Sequence, residues 1–430
     1  MGVDEKRILE RLYKPRLLDS TKIPKEMVLP AYGGYSLANV PATVLAHFAA
    51  KGVTTPRLAP EVVGDQLKGA RKLVVLLVDA LGYLALKRQM KADRGLGFNA
   101  LARAGTYTPL TSIFPTTTAA CLSTLHTGLT PIEHGITGYR IYMPDRGAIM
   151  NMIRLSPDSD ERMNQMLPAK DDAGAILGVP TVHQRLAKAG VKSTCLIQKP
   201  IANSGLSTML YAGSKVSRFI NASDMCVQIR ELVSADKANP ECIWAYWGAV
   251  DEILHEYGTG TPQVESEVRS LGYILKRELI EPLARKSKGK TVLMVLSDHG
   301  QVQVDRESVV STKRFRKLSE LLVAPPTGTG RSPYLHVREG MQERTRSYLS
   351  RNLKDRALVF DTRKVIGLWG SGIPRSEVSG RLGDLLVLMR NSNTLFYPYR
   401  SDSKPFHLLG GRHGGLNEEE ALIPFFCARF

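Results

Sequence analysis

The stretch KLVVLLVDALG, at residues 72–82, places an unbroken run of apolar residues directly before an aspartate. Such a run is typical of a parallel strand that is buried on both faces. Similar runs recur later in the chain, at 191–197, 242–247, 292–296 and 384–389. Helical patterns lie between them, at 181–189 and at 265–286, where Pro282 predicts a kink or an early end. This alternation predicts an α/β fold with a doubly wound, mostly parallel central sheet flanked by helices.

Three stretches depart from this alternation. The first 70 residues have helical character interrupted by prolines and glycines, and we expect a helical N-terminal extension that packs on the core. Residues 71–430 then form one large domain. Within it, 140–178 and 302–380 lack the strand–helix rhythm. We predict that both are insertions near a functional site, where they could act as lids.

The composition excludes several classes of protein. Of 430 residues, 43% are apolar and 23% charged, which does not fit a disordered, collagen-like or membrane-bundle chain. No apolar run suits a signal peptide or a membrane span. The five cysteines are scattered without a Cys-x-x-Cys pair, so neither a disulfide framework nor a cysteine zinc site is indicated. We therefore expect a cytoplasmic protein.

The formal net charge of +17 favours anionic partners, which include small phosphates, nucleic acid and acidic lipid. Lysines and arginines are spread along the chain, and basic clusters such as 313–317 are short. No concentrated basic and aromatic stretch marks a nucleic-acid module. Charge alone does not choose among these partners.

Polar side chains follow three of the apolar runs. Asp79 ends the first run, Asp251 and His255 follow the third, Asp298 and His299 end the fourth, and His413 lies in the later motif GRHGGL. The carboxyl ends of parallel strands meet at one edge of a sheet, where ligands bind. Carboxylate and imidazole groups coordinate zinc, and less readily manganese or iron; three of each carry enough charge for two ions. Alternatively, each aspartate caps a helix and each histidine is an ordinary core or surface group.

Three consecutive threonines, Thr116 to Thr118, follow Ile113, Phe114 and Pro115 and begin a helical pattern. A helix N-terminus stabilises negative charge, so a hydroxyl there that touches a metal could act as an alkoxide nucleophile. The alternative is that one of these threonines is simply an N-cap.

The ordered set of motifs resembles a known family. The string FPTTTAACLSTLHTGLTPIEHGITGY at 114–139, with VDALG before it and AVDEILHEYG, SDHG and GRHGGL after it, is similar to the alkaline phosphatase superfamily. Within that superfamily it most resembles the type I phosphodiesterase/nucleotide pyrophosphatase family. The resemblance implies that 71–430 is an alkaline phosphatase-like catalytic domain with Thr118 as nucleophile and a phospho-threonine intermediate.

The same resemblance implies two divalent metal ions, Zn2+ in preference to Mn2+ or Fe. One would be bound by Asp79, Thr118, Asp298 and His299, and the other by Asp251, His255 and His413. The expected partner is a small phosphate ester or a nucleotide, and a homodimer is consistent with the superfamily. Nucleic acid stays open as a partner, without a motif to indicate it.

The sequence departs from the family's pattern at two points. Ala119, Ala120 and Cys121 follow the nucleophile where many members have a bulky residue, and Tyr139 stands where they have an asparagine. Tyr139 and Arg140 are therefore candidates for binding a phosphate oxygen in its place, as is Arg412. The alternative for this pair is that Tyr139 packs and Arg140 is a surface or ion-paired residue.

A two-metal phosphodiesterase or nucleotide pyrophosphatase is the function that these features favour. A phosphomonoesterase or a phosphonate or sulfate ester hydrolase on the same scaffold is the nearest alternative. A phosphomutase is disfavoured because no dedicated second domain is evident. From a different class, a non-catalytic nucleic-acid-binding or interaction protein would use the +17 charge alone.

Overall fold

The computed structural model describes residues 5–14, 17–159, 176–235, 239–372, 374, 376–399 and 410–430. Parts of the predicted segments therefore lie outside the described residues: 1–4 and 15–16 of the extension, 160–175 of the first insertion, and 373 and 375 of the second. Within the described ranges, no helix is both long and apolar enough to cross a membrane.

The central sheet carries seven of the described strands, which we number in chain order as β1 (Lys72–Val78), β2 (Gly105–Thr111), β3 (Lys192–Gln198), β4 (Lys215–Phe219), β5 (Glu241–Trp247), β6 (Thr291–Leu296) and β7 (Leu422–Arg429). Their spatial order is β2-β7-β6-β1-β5-β3-β4. β7 runs antiparallel to both its neighbours, and the other pairings are parallel. The predicted mostly parallel sheet is confirmed.

Both faces of this sheet are covered. Alternate side chains of a strand point to opposite faces; in β1 the odd-numbered residues from Leu73 to Leu77 enter one hydrophobic core and the even-numbered residues from Val74 to Val78 enter another. The first core also contains Leu37, Val40 and Leu45 of the N-terminal segment, which bury their side chains there. The doubly wound arrangement is therefore confirmed, whereas the status of 1–70 as a separate extension stays a prediction.

Helices pack on both faces of the sheet and around its ends. Their bounds are Glu5–Leu12, Asn39–His47, Pro60–Val63, Tyr83–Ala92, Gly97–Ala104, Thr118–Thr127, Pro131–His134, Val182–Lys188, Gly205–Leu210, Ala222–Ala235, Ala249–Tyr257, Pro262–Ile274, Glu281–Lys286, Leu318–Leu321, Gln342–Leu353, Ser376–Arg381 and Glu418–Ala421. Short 3-10 segments lie at Pro144–Arg146, Lys199–Ile201, Arg306–Ser308, Thr312–Arg314, Lys354–Arg356 and Thr362–Trp369.

Pro282 does not end the helix that was predicted over 265–286. The helix begins at Pro262, passes through a π-helical turn at Leu275–Ile280 and continues to Lys286. A proline in a helix removes one N–H and pushes its ring against the carbonyl four residues earlier. The wider π turn directly before Pro282 accommodates this defect and lets the helix continue.

Both predicted insertions contribute strands to a second sheet, which is antiparallel throughout. Its spatial order is Ala357–Asp361, Leu385–Met389, Pro333–Leu335, Thr327–Gly328, Arg140–Met143, Ala148–Asn151 and Ser156–Pro157. The two insertions meet where Gly328 pairs with Arg140. We call this sheet and its helices the second lobe; its action as a lid stays a prediction.

Residues 384–389 form a buried strand as expected, but at Leu385–Met389 in the second sheet rather than the parallel one. Side chains of this strand alternate between two small cores of the second lobe. It is thus buried on both faces, and a continuous apolar run does not distinguish it from a central parallel strand. Three smaller pairings complete the described strands: Leu17–Leu18 with Thr21–Lys22, Val302–Val304 with Gly410–Arg412, and Val309–Ser311 with Thr394–Phe396.

A buried ion pair fixes the register of β1 against β5. Lys72 and Glu241 are opposite each other in the parallel ladder, and Lys72 Nζ lies 2.9 Å from Glu241 Oε2. Thr194 of β3 donates a hydrogen bond to the other carboxylate oxygen at 3.0 Å. The pair lies at the amino ends of the strands, opposite the edge at which Asp79 follows β1.

A second buried polar cluster anchors the far end of the helix Thr118–Thr127. His126 Nδ1 lies 3.0 Å from His183 Nε2, and His183 Nδ1 lies 2.7 Å from Ser193 Oγ. With Cys195 the two histidines are close enough to hold an ion, but their mutual hydrogen bond satisfies the cluster without one. Burial lowers the pKa of His183 to about 3 and that of His126 well below its usual range, so both rings are neutral.

We expect Glu241→Gln to lower the free energy of unfolding by about 3 kcal/mol, because it leaves the Lys72 ammonium buried without its counter-charge. The double variant Lys72→Met/Glu241→Leu should recover most of that loss, since it removes both charges. Urea denaturation of the two variants and the wild type measures the difference. Equal destabilisation by the single and double changes would show that the pair contributes nothing specific.

We also expect the free energy of unfolding to fall by about 2 kcal/mol between pH 7 and pH 5 through His183 alone. The unfolded chain binds a proton near the ordinary histidine pKa of 6.5, whereas the folded ring does so only near 3. The folded state therefore loses stability as the pH drops below 6.5. Urea titrations at both pH values should show a weaker pH dependence in His183→Gln than in the wild type; an identical dependence contradicts the assignment.

Candidate active site

The sequence-predicted ligands converge at one edge of the central sheet because β6, β1 and β5 are neighbours. Asp79 directly follows β1, while Asp298 and His299 follow β6 after Ser297. Asp251 and His255 lie one turn apart on the helix Ala249–Tyr257, which begins two residues after β5. Parallel neighbours deliver their carboxyl ends to the same edge, so these side chains meet without any special loop.

Asp79, Asp298 and His299 form the first of two compact groups. The Nε2 of His299 lies 3.6 Å from Asp79 Oδ1 and 3.5 Å from Asp298 Oδ2. Both oxygens are buried and have no hydrogen-bond partner within the described part of the chain, and all three residues are almost fully buried. Buried carboxylate oxygens are normally paired. Two unpaired oxygens that face one imidazole nitrogen are a donor set that could hold a divalent cation.

Asp251, His255 and His413 form the second group. His255 Nε2 lies 3.4 Å from one Asp251 oxygen, and His413 Nε2 lies 3.9 Å from the other. The pairing of Gly410–Arg412 with Val302–Val304 carries His413 in from far along the chain, and its ring stacks on His299 at a centroid distance of 3.8 Å. The two groups are therefore adjacent.

The loop of His413 is held from both lobes. Gly414 N donates to Thr116 Oγ1, two residues before Thr118, at 2.9 Å, and Gly414 O accepts from Ser332 Oγ of the second lobe at 2.6 Å. A buried ion pair between Arg331 and Glu420, at 2.7 Å, lies next to this loop. These contacts fix the position of His413 relative to Thr118.

A backbone carbonyl lies beside Nδ1 of each of the three rings; for His255 it is Gly411 O, at 2.8 Å. His299 Nδ1 lies 3.1 Å from Gly300 O, and His413 Nδ1 lies 2.7 Å from Thr116 O. Each of these last two contacts assigns the proton to Nδ1 and leaves the Nε2 lone pair directed at the carboxylates. A second partner that fixes the tautomer of a histidine is a regular feature of metal sites.

The electrostatics of the site call for positive charge. Burial and the charges of Asp298 and Asp251 raise the pKa of Asp79 well above its usual range. Burial alone would raise the pKa of Asp251 as well, but the neighbouring His255, His413 and His299 lower it when they carry a proton. Burial lowers the pKa values of His255 and His413 to about 4, so these rings are neutral at physiological pH. Neutral imidazoles and crowded carboxylates fit divalent cations by their donor chemistry.

Thr118 is the first residue of the helix Thr118–Thr127, and its Oγ1 lies 3.3 Å from His299 Nε2. The preceding loop is fixed to the sheet because Ser112 Oγ donates to Asp298 O at 2.5 Å. The hydroxyl thus combines a helix N-terminus, which favours negative charge, with direct contact to the first group. Thr117 occupies the N-cap position, but its buried hydroxyl makes no capping hydrogen bond and has no partner among the described residues.

Tyr139 and Arg140 make their contacts within the second lobe. Arg140 Nε lies 2.9 Å from Asp158, and the guanidinium is placed between the rings of Tyr139 and Tyr399, 4.9 and 4.4 Å from their centroids. The Tyr139 hydroxyl accepts a hydrogen bond from Asn151 at 2.8 Å. Arg412 Nη1 lies 2.8 Å from His255 Nδ1 and donates to Gly411 O at 2.5 Å and to His255 O at 3.3 Å. The assignment of Tyr139 and Arg140 to substrate binding stays a prediction.

Two supporting residues were not found from the sequence. Tyr246 of β5 donates a short hydrogen bond to Asp79 Oδ2, and burial together with the Asp79 charge raises its pKa well above the usual range, so it keeps its proton. Gln301 donates to Asp251 Oδ1 at 2.5 Å. Gln301 lies two residues after His299, and this position in the sequence could have indicated a role at the site. Tyr246 lies within an apolar strand, and nothing in its sequence position indicates such a role.

Known proteins of this fold share the arrangement of elements. Murine ectonucleotide pyrophosphatase/phosphodiesterase 5 in complex with AMP matches with a TM-score of 0.62 and 18% identity, over 83% of this chain and 87% of its own. Phosphonoacetate hydrolase from Sinorhizobium meliloti in complex with phosphonoacetate matches with a TM-score of 0.61 and 17% identity, over 84% and 91%. A comparison with curated proteins finds no significant match. At these identities the likeness shows a shared fold.

The family follows from the sequence match. A model of the type I phosphodiesterase/nucleotide pyrophosphatase family matches residues 73–416, which include both ligand groups and Thr118. The resemblance drawn from the motifs is thereby confirmed. Because the match spans most of the chain, the protein belongs to the type I phosphodiesterase/nucleotide pyrophosphatase family and is a phosphoester hydrolase.

Proposed function

We propose that the protein is a metal-dependent phosphodiesterase that cleaves phosphate diesters or pyrophosphate linkages with Thr118 as the nucleophile. The observation that carries this proposal is the placement of the Thr118 hydroxyl, at a helix N-terminus and 3.3 Å from His299 Nε2. A nucleotide or another small phosphate ester is the proposed substrate class, in keeping with the family.

Two ions fit the residues that are present. Asp79, Thr118, Asp298 and His299 would hold one, and Asp251, His255 and His413 the other. The orphaned oxygens of Asp79 and Asp298 support the first assignment, because a buried carboxylate without a partner is costly. Bound Zn2+, or Mn2+ or Fe in its place, would act as a Lewis acid and neutralise charge on the phosphoryl oxygens.

In the proposed reaction Thr118 Oγ1 attacks phosphorus, the bond to the leaving-group oxygen breaks, and a phospho-threonine forms. The hydroxyl proton passes through solvent to the leaving-group oxygen, and the N-terminus of the helix favours its loss from Thr118. Water then attacks phosphorus, the bond to Oγ1 breaks, and the Thr118 oxygen regains a proton. Thr116 and Ser112 act by holding the nucleophile segment against the sheet.

The surroundings of Arg140 favour a diester over a monoester. A monoester dianion needs an additional cation, for which Arg140 and Arg412 are the candidates from the sequence. The Arg140 guanidinium is already neutralised by Asp158 at 2.9 Å and stacked between two tyrosines, and Arg412 donates to the Gly411 and His255 carbonyls. A diester carries a single negative charge and does not need this cation.

We expect Thr118→Ala to lower kcat/KM for bis-p-nitrophenyl phosphate at least about a thousandfold, because no attacking oxygen remains. Thr118→Ser is the matched control and should retain part of the activity, since it keeps the hydroxyl. Metal analysis of the purified wild type should give two ions per chain. Faster turnover of p-nitrophenyl phosphate by the wild type would move the assignment to a phosphomonoesterase. Full activity of Thr118→Ala would exclude this nucleophile.

Tyr246→Phe should weaken retention of the ion at Asp79 by about tenfold or more, because the carboxylate loses the hydrogen bond that orients it. Dialysis against a graded chelator, followed by metal analysis, measures the effect without reference to activity. Tyr107→Phe is the matched control, since Tyr107 is a largely buried tyrosine of β2 whose hydroxyl has no described partner. Equal metal retention in both variants would remove Tyr246 from the site.

A further inference from the structure

The second lobe carries two adjoining grooves that are rich in positive charge. One has a volume of about 490 Å3 and the other of about 380 Å3, and Arg338 lines both. We call them together the basic groove. Its six basic side chains, all exposed, are Lys313, Arg316, Lys317, Arg338, Arg344 and Arg351.

This charge is largely uncompensated. Two acidic residues, Glu320 and Glu339, line the groove against the six basic ones. Glu343 on the helix Gln342–Leu353 pairs instead with Arg346 at 2.6 Å. Within the part of the chain that the structure describes, no carboxylate forms an ion pair with any of the six. The groove is therefore a concentrated positive surface, which an anionic ligand would neutralise.

The fold assembles this surface from separate stretches of sequence. The cluster 313–317 is short by itself, and Arg338 reaches it because Val337 and Leu322 form a bridge between their segments. Arg344 and Arg351 lie two turns apart on the helix Gln342–Leu353. No single stretch contains the full set, so a search for basic motifs along the sequence does not find it.

The basic groove continues towards the candidate active site. A third cavity, of about 190 Å3, shares Pro326 and Tyr397 with it and is also lined by Arg140 and Thr329. A Cβ placed on Gly414 would collide with the Thr329 side chain, which shows that Thr329 packs directly on the residue after His413. The three cavities thus extend from the basic groove to Thr329, which contacts the residue after His413.

Aromatic side chains line the same three cavities. Tyr397 and Tyr399 contact each other with ring centroids 5.0 Å apart, and Tyr399 also faces Arg140. Tyr348 lines the basic groove beside Arg344 and Arg351 and is half-buried. A positively charged groove with aromatic platforms is the arrangement by which proteins bind single strands of nucleic acid without sequence preference.

We propose that the basic groove binds the backbone of a single-stranded nucleic acid and directs one of its phosphodiester bonds to Thr118. The cleavage of the bound strand rests on the proposed phosphodiesterase function; the binding does not. The concave shape and the tyrosines favour a single strand over an anionic membrane, which would need a flatter, more protruding surface. The bases would stack on Tyr348 and Tyr397, while the basic side chains contact the phosphates.

The test measures binding apart from catalysis. Thr118→Ala protein is titrated against a fluorescein-labelled oligothymidylate of about 12 nucleotides, and fluorescence anisotropy gives the dissociation constant at several salt concentrations. The groove variant adds three substitutions to that protein, Lys317→Ala, Arg344→Ala and Arg351→Ala. The matched control is Lys91→Ala/Arg94→Ala/Arg103→Ala, which removes the same charge from exposed positions of the central domain.

We expect the groove variant to bind the oligonucleotide about tenfold or more weakly in 0.1 M salt. The slope of the logarithm of its binding constant against the logarithm of the salt concentration should also be smaller in magnitude by about 2, because each lost phosphate contact removes about 0.7. The control variant should match the parent. When Thr118 is restored, the three groove substitutions should lower kcat/KM for the oligonucleotide about tenfold and leave kcat/KM for bis-p-nitrophenyl phosphate nearly unchanged.

Equal oligonucleotide binding by the groove and control variants overturns the inference, even if the wild type hydrolyses small diesters. Loss of binding in the groove variant alone supports it, even if no diester is hydrolysed, in which case the proposed function fails and the binding surface stands. Binding of the same variants to phosphatidylserine vesicles is also measured. Vesicle binding that depends on the groove residues, with oligonucleotide binding unaffected, would assign the surface to membranes and overturn the proposal.

Discussion

The crowding of three carboxylates at one edge of the central sheet is the constraint on which the site depends. Asp79, Asp298 and Asp251 meet there because β6, β1 and β5 are adjacent. Burying charge is costly unless each oxygen is paired. Backbone N–H groups of Ala80 and His299 donate to one oxygen of Asp298, and Tyr246 donates to one of Asp79, so a single oxygen on each is left for a cation. Hydrogen bonds within the protein thus stabilise one carboxylate oxygen of Asp298 and one of Asp79.

The two lobes contribute differently to this site. The central sheet supplies the first ligand group through residues that directly follow its strands, and their positions are fixed by cores on both faces. The second group depends on His413, whose loop is bonded both to Thr116 and to Ser332 of the second lobe. The relation between the two groups is therefore sensitive to how the lobes are joined, and the Arg331–Glu420 pair strengthens that junction.

The sequence predicted the part of the fold that is encoded locally. β1 has the expected bounds because both of its faces are apolar, and the ligands follow apolar runs as the topology of a parallel sheet requires. Edge strands β2 and β4 carry mixed polarity and gave no such signal. The second sheet depends on pairing Arg140 with Gly328, residues far apart in the chain, and no local pattern specifies that contact. Tyr246 was missed for a related reason, since its role depends on a neighbouring strand.

The interior position of β7 has a consequence for the order in which the molecule forms. This strand is synthesised after every other strand of the central sheet, yet it lies between β6 and β2. Until it enters, the two ladders that join β2 to β6 through β7 are missing, and the Ser112 N–H lacks its acceptor, the carbonyl of Ala421, the residue before β7. The backbone hydrogen bonds that hold the Thr118 segment near Asp298 are thus completed only after β7 has been synthesised. A nascent chain therefore contains Asp79, Thr118 and Asp298 before the strand that joins their supporting elements exists.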